Sequence, residues 1–510
     1  MAQQPEKPRG PDLTLGVSAS DIADGAMLVG HVGEEEVLVA RVDGQLLAIG
    51  AKCSHYQGPL GEGLLVGQSV RCPWHHARFC LRTGEALGAP AIDPVGAWIV
   101  EVREGKVFVE RKREAPKAGS GAPASKAPRR VLIAGGGAAG FAAAEMLRRR
   151  GFDGGITLVS ADADPPYDRP NCSKDYLAGE ARPEWVPLRE NGWYQDNDID
   201  LKLKAEVTAL DLGQRTAALK DGGTLAFDAL ILALGAEPNR PPIAGFDQPN
   251  VFVLRTLKDA DAIVEAAARA GRVVVVGASF IGLEVAASLR HRGLEVHVVA
   301  PEEIPLGKVM GEAVGRWIRA LHQENGVVFH LGRTVTGYRQ GQVTLDDGQA
   351  LGADFVIAGT GVKPRTELAQ RAGLAVDDGV IVDRFLRTQA KNVYAVGDIA
   401  RFPEFHSGQA IRVEHWVHAQ RQGQHAALAL LGDDRPYRDT PFFWSAHYET
   451  TIRYVGHARD FDSPTIEGSL ENKDAAIRYR RGGRTLAVAT IGRDIEALKA
   501  GLDLEREPAG

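Results

Sequence analysis

Four side chains able to bind a metal stand in two short stretches of this sequence, Cys53-Ser54-His55 and, after 16 intervening residues, Cys72-Pro73-Trp74-His75. A Cys-x-His loop and a Cys-x-x-His loop can turn two thiolates and two imidazoles toward one metal centre. Structural zinc uses such a set, and spacing alone leaves the metal open. A second chemistry is written at Gly135-Gly136-Gly137-Ala138-Ala139-Gly140, a G-x-G-x-x-G turn. It returns at Gly277-Ala278-Ser279-Phe280-Ile281-Gly282, the two first glycines lying 142 residues apart. In such a turn the first glycine makes the bend, the second lets backbone approach a pyrophosphate, and the third lets helix and strand pack closely. The helix that follows offers unpaired N–H groups and partial positive charge to the phosphates.

Each turn needs a strand before it and a helix after it. Val131 to Ala134 and Val273 to Val276 are apolar runs that read as strands buried on both faces. Phe141 to Arg150 and Leu283 to Arg292 read as the helices, Ile156 to Val159 and Glu295 to Ala300 as the next strands. Asp162 lies 22 residues after Gly140, where a carboxylate can accept hydrogen bonds from a ribose. The second copy has Ala300 there, with Glu302 and Glu303 just beyond. Its Ser279 replaces the central glycine and is small enough to permit close approach. Leu230 to Leu234 is a further buried strand ending at Gly235-Ala236-Glu237-Pro238, and Val393 to Val396 runs likewise into Gly397-Asp398.

The cysteine–histidine loops sit between two hairpin signals. Val37 to Val42 and Gln45 to Ile49 flank Asp43-Gly44, and Trp98 to Val102 and Lys106 to Glu110 flank Glu104-Gly105. Glu114 to Pro128 holds no large apolar residue and reads as a flexible linker reaching about 20 Å.

At 510 residues the chain exceeds one compact core, and about three or four domains are expected. With 44% hydrophobic and 25% charged residues and a net charge of −6, it carries no footprint for nucleic acid or an anionic membrane. No run of apolar residues is long enough for a membrane span, and Met1 to Pro11 lacks the apolar core of a signal peptide. Cys53, Cys72, Cys80 and Cys172 make no disulfide framework. A cytoplasmic protein is expected.

C-x-H followed by C-P-W-H resembles the Rieske [2Fe–2S] pattern. Gly58-Pro59-Leu60 and the run from Ala77-Arg78-Phe79 to Thr83-Gly84-Glu85 are similar to its loops. The resemblance implies Cys53 and Cys72 on one iron, His55 and His75 on the other. His76 stands where that family commonly has glycine and is expected beside the cluster or exposed. High-potential members have a further cysteine in each loop, which this chain lacks, so the resemblance is to the lower-potential, ferredoxin-type class.

Pro166-Tyr167-Asp168-Arg169-Pro170-Asn171-Cys172-Ser173-Lys174 is similar to a stretch of the flavin-dependent ferredoxin reductases and apoptosis-inducing-factor-like proteins. The resemblance implies Arg169 and Lys174 on FAD. Cys172 replaces the usual leucine and is expected as a small core residue, since a C-x₄-C pair is absent. Ala236 belongs to a strand-end turn similar to one in this family, and Asp398 is implied on the flavin ribityl chain. Glu284 resembles the residue placed near the nicotinamide. Glu414-His415-Trp416 with Ala419-Gln420 and Gly423 resembles the helix segment beside the flavin. Pro441-Phe442-Phe443-Trp444-Ser445 resembles the stretch opening the C-terminal domain, with Trp444 implied as a flavin neighbour.

The implied fold is multidomain. An all-β Rieske domain (12–112) and a linker (113–128) precede an α/β FAD-binding domain (129–250 and 375–435). That domain is interrupted by an α/β NAD(P)H-binding domain (251–374), and a small α+β domain (440–505) follows. Gly135, Gly137, Gly140, Asp162, Arg169, Lys174, Ala236, Asp398 and Trp444 are expected on FAD. Gly277, Ser279, Gly282 and Glu284 are expected on the nicotinamide dinucleotide, with Lys174 and Glu284 in the catalytic role. NADH is favoured, because Glu302 or Glu303 would repel a 2′-phosphate and no arginine cluster offers itself. The expected activity carries electrons from NAD(P)H through FAD to the chain's own cluster. The final acceptor, an oxygenase, a ferredoxin or a small molecule, is not named by the sequence, and a homodimer is admitted. The alternatives are a slow-turnover redox sensor and an NADH oxidase or quinone reductase.

Overall fold

Both hairpin signals form hairpins, and for the stated reason. Asp43 and Gly44 have φ of 49° and 75°, Glu104 and Gly105 of 49° and 74°, the paired positive values of a type I′ turn. The computed structural model describes residues 7–114 and 128–506, so the expected linker lies, at 115–127, outside the described residues. Contacts divide the chain into two units, Met1–Ala122 with Arg493–Asp503 and Pro123–Gly492 with Leu504–Gly510.

In the first unit, six antiparallel strands run in the order Val17–Ser18, Lys106–Lys112, Ala97–Arg103, Gln45–Gly50, Glu35–Val42, Met27–Val32. Four short antiparallel strands, Leu64–Val66, Ser69–Arg71, Arg78–Cys80 and Ala86–Gly88, form a second sheet. A core that includes Leu38, Ile49, Leu60 and Phe79 also takes in Cys53 and Cys72.

In the second unit, a five-stranded parallel sheet runs Ile199–Lys202, Gly155–Val159, Arg130–Ala134, Ala229–Leu232, Val393–Ala395. The chain leaves this sheet after Ala229–Leu232 and returns for its last strand. Between them lies a second parallel sheet, Val251–Phe252, Phe355–Ala358, Arg272–Val276, Glu295–Ala300, Val327–Leu331. The duplication is fuller than one strand–turn–helix unit. Each copy also inserts a three-stranded antiparallel meander, Val207–Ala226 and Val335–Gly352, before its next parallel strand. A third, antiparallel sheet closes the unit, in the order Phe442–His447, Thr450–Gly456, Arg484–Ile491, Asp474–Arg481, Thr465–Ser469.

Both turn helices begin earlier than the apolar pattern predicts, at Ala138 and Phe280. The second has a local cause: Ser279 Oγ accepts the Gly282 N–H at 3.2 Å and caps the helix. Ser279 therefore does more than stay small. Among the described residues no helix is long and apolar enough to cross a membrane.

Candidate active site and metal centre

The two cysteine–histidine loops close alike. Cys53 N–H bonds Gly58 O and Gln57 N–H bonds Cys53 O; Cys72 N–H bonds Ala77 O and His76 N–H bonds Cys72 O. Gln57 and His76 occupy matching positions, with φ of 58° and 60°. That left-handed conformation explains why glycine suits the site. His76 is buried, so the exposed alternative for it does not hold. Both cysteines are 1% exposed, while His55 and His75 stand nearer the surface with their Nδ1 atoms 3.2 Å apart.

The four residues fit a [2Fe–2S] cluster. The hydrogen bond to Cys72, and then burial, push the Cys53 thiol well up, a direction that a metal cation would reverse. Burial lowers His55 to about 4, leaving a neutral imidazole with a lone pair to give. Gly58 keeps the space open, since a Cβ there would stand 2.8 Å from Cys72 Sγ. Tyr56, exposed, stacks on His55 with ring centroids 4.2 Å apart.

In the second unit the two dinucleotide turns face one cavity of about 1180 Å³, large beside ordinary single-ligand pockets. The turns repeat in detail. Gly135 and Gly277 have φ of 117° and 108°, and a Cβ on them would stand 2.1 Å from Ala233 O and 2.4 Å from Gly359 O. Each thus crosses the end of a neighbouring strand, where only glycine fits. Gly140 and Gly282 pack on the carbonyls of those first glycines. Gly137, Ser279, Asp162, Arg169, Ala236 and Trp444 line the cavity. Asp162 is not idle: it accepts from the Tyr167 hydroxyl at 3.1 Å and lies 3.8 Å from Arg169.

Lys174 and Glu284 also line it and meet at 2.7 Å. Glu284, 2% exposed, further accepts from Ser173 Oγ and Ser445 Oγ, both at 2.6 Å. Asp398, also lining the cavity, pairs with Arg255 at 2.7 Å. Arg255 carries no local signal and was missed by sequence reasoning; it precedes a capping box at Thr256 and Asp259, and that box sets its direction. Arg169 Nε, Arg255 Nε, His415 Nδ1 and His457 Nε2 are buried on residues lining the cavity, with no hydrogen-bond partner among the described residues. Four unanswered polar atoms, two of them cationic donors, fit an acceptor-rich anionic ligand such as FAD. Burial lowers His415 to about 3, so it is neutral. Cys172 is 2% exposed within a small core of Tyr167, Val186 and Ala260. Burial pushes its thiol up to about 12, unlike a reactive cysteine.

At the end of the second copy's strand Glu302 and Glu303 are exposed. One arginine does come near: Arg333 N–H bonds Ala300 O at 3.1 Å, while its guanidinium is held by Asp347 at 3.0 Å.

Comparison with known proteins gives three family matches: "Pyridine nucleotide-disulphide oxidoreductase" over residues 129–423, "Rieske [2Fe-2S] domain" over 14–102 and "Reductase C-terminal" over 442–506. Apoptosis-inducing factor 3 of Homo sapiens is 33% identical over 492 residues, 93% of this chain and 81% of that protein. Putidaredoxin reductase CamA of Pseudomonas putida is 36% identical over 376 residues, 72% of this chain and 89% of that protein. The crystal structure of the covalent putidaredoxin reductase–putidaredoxin complex matches with a TM-score of 0.72 at 34% identity. That match covers 75% of this chain and 94% of the other.

Proposed function

Because the chain belongs to the pyridine nucleotide-disulphide oxidoreductase family and joins it to a Rieske domain, we propose that it carries electrons from NAD(P)H through FAD to its own cluster and on to an external acceptor. It is a ferredoxin reductase-like flavoprotein, with FAD, NAD(P)H and a [2Fe–2S] cluster implied by its families. The observation that carries the proposal is the meeting of both dinucleotide turns and the Lys174–Glu284 pair at one cavity. Bound FAD supplies the exchange between two-electron and one-electron chemistry, and asks position and electrostatics of the protein.

Those are what the residues offer. The Gly135–Gly137 turn and the helix from Ala138 would hold the pyrophosphate, with Arg169 and Arg255 adding charge. Asp162 would take a ribose and Asp398 the ribityl chain, while Trp444 shields one side. Lys174, fixed by Glu284, would keep a positive charge where electrons arrive. Gly277, Ser279 and Gly282 would receive the nicotinamide dinucleotide. Cys53, Cys72, His55 and His75 would hold the cluster. NADH is the favoured donor, since Glu302 and Glu303 oppose a 2′-phosphate and Arg333 is already engaged. A ferredoxin, an oxygenase or a small molecule is the acceptor class, and the cytoplasm the location.

Purified full-length protein should carry about one FAD, and about two iron and two sulfide per chain. Iron content unchanged in Cys72→Ser would contradict the cluster assignment.

A further inference from the structure

A line of hydrogen bonds leaves the cavity from Glu284 Oε1. Ser445 Oγ donates to that oxygen at 2.6 Å and lies 3.0 Å from His447 Nε2. His447 Nδ1 is 3.2 Å from His322 Nε2, and His322 Nδ1 is 3.4 Å from the Tyr448 hydroxyl. Ser445, His447 and His322 are fully buried, and Tyr448 is half-buried. Neighbour fixes neighbour along this line. Glu284, paired with Lys174, accepts, so Ser445 gives it its proton and accepts from His447 Nε2–H. His447 Nδ1 then accepts from His322 Nε2–H, and His322 Nδ1 from the Tyr448 O–H. Burial keeps both rings neutral, lowering His447 to about 3 and His322 well below its ordinary value.

Packing does not require this. Hydrocarbon would fill a buried strand–helix contact without polar groups to satisfy. Tyr448 opens the two-residue turn between Phe442–His447 and Thr450–Gly456, which sets its φ of 56° and brings its ring 5.2 Å from that of His322. The groups facing Glu284 are Lys174 and Ser173 from one side and Ser445 from the other. His447 faces Ser445 and His322, with the Lys174 charge near.

We propose that Glu284, Ser445, His447, His322 and Tyr448 form a proton path that loads Glu284 when electrons enter the flavin pocket and unloads it when they leave. The inference rests on the reading that NAD(P)H delivers electrons there. On loading, Ser445 Oγ–H breaks as Glu284 Oε1–H forms, and His447 Nε2–H breaks as Ser445 Oγ–H is remade. His322 Nε2–H breaks as His447 Nδ1–H forms, Tyr448 O–H breaks as His322 Nδ1–H forms, and solvent returns a proton to Tyr448. One proton moves from solvent to Glu284, no electron travels along the path, and unloading is the reverse. The electrons come from the nicotinamide, whose oxidation yields NAD(P)+, two electrons and one proton. Negative charge entering a buried pocket supplies the pull. Ser445, His447, His322 and Tyr448 are positioning residues that act through Glu284.

Infrared redox-difference spectra of the full-length FAD-bound protein, photoreduced without nucleotide, read the step. A carboxylic-acid band should appear on reduction and be absent in Glu284→Gln. It should rise at least about tenfold more slowly in His322→Gln, whose amide keeps hydrogen bonds but relays no proton, and in Tyr448→Phe at the half-buried end. A band that survives Glu284→Gln, or that rises at the wild-type rate in either relay variant, overturns the path. The ¹⁵N shifts of His322 and His447 test it without cofactor: at pH 7 both rings must be neutral with the proton on Nε2. A charged ring or the opposite tautomers overturn it. Flavin that photoreduces with this band pattern, yet is reduced by neither nucleotide, supports the path and contradicts the electron-transfer reading instead.

Discussion

Lys174 Nζ and Glu284 Oε2 lie 2.7 Å apart although 110 positions separate them in the chain. The pair ties the turn ending at Lys174 to the helix of the second dinucleotide unit, with Glu284 buried and the Lys174 side chain 14% exposed. Removing one partner leaves a buried charge. Lys174→Met should destabilise the protein by about 3–5 kcal/mol, and the double variant Lys174→Met, Glu284→Gln should recover most of that loss. Urea midpoints of the four proteins check it; additive losses would show that the pair is not coupled.

At the metal centre the two adjacent histidines should part company. His75→Ala should abolish the cluster, whereas His76→Gly should keep iron and its visible spectrum, because His76 occupies the loop-closing position at φ 60°. Iron analysis decides, and loss of iron in His76→Gly would contradict the ligand assignment.

Arg255 should matter to flavin retention. It holds Asp398 at 2.7 Å and lines the cavity, and its buried Nε has no hydrogen-bond partner among the described residues. Arg255→Leu should weaken FAD binding at least about tenfold, since a charge-assisted hydrogen bond contributes about 1.5–3 kcal/mol. Flavin fluorescence on dilution measures the release; wild-type retention would exclude the contact.

Acid should weaken the reductase unit through its buried histidines. Burial lowers His415 and His447 to about 3, against about 6.5 in the unfolded chain. Between those values the unfolded chain binds more protons. Their contribution is therefore complete above about pH 6.5 and falls by about 1.4 kcal/mol per pH unit per histidine as pH drops toward 3. Urea midpoints at pH 7, 6 and 5 should decline, less steeply in His447→Gln. A variant curve parallel to wild type would remove His447 from the explanation.

What the sequence made legible was local. Gly135 and Gly277 stand at fixed offsets from apolar strands, and Cys53–His55 and Cys72–His75 each sit in one loop, so spacing carried their geometry. Resemblance then adds what spacing does not, the expectation of Lys174 on the flavin and of Glu284 near the nicotinamide. The chain of Ser445, His447 and His322 was invisible. It joins a strand to a helix 125 positions away, and an isolated histidine in an apolar segment gives no sign of its partner. Arg255 was missed for the same reason. Ser279 is legible only in part, since its small size shows in the sequence and its capping oxygen does not.

The central claim is that electrons pass from nicotinamide through flavin to the chain's own cluster. The direct test adds one equivalent of NADH anaerobically to the full-length protein, and NADPH in a parallel run, following absorbance and freeze-quenched EPR. The account predicts that the flavin bleaches first and a Rieske-type signal follows within catalytic time, faster with NADH. A bleached flavin beside a cluster that stays oxidised, though dithionite can reduce it, would contradict the account.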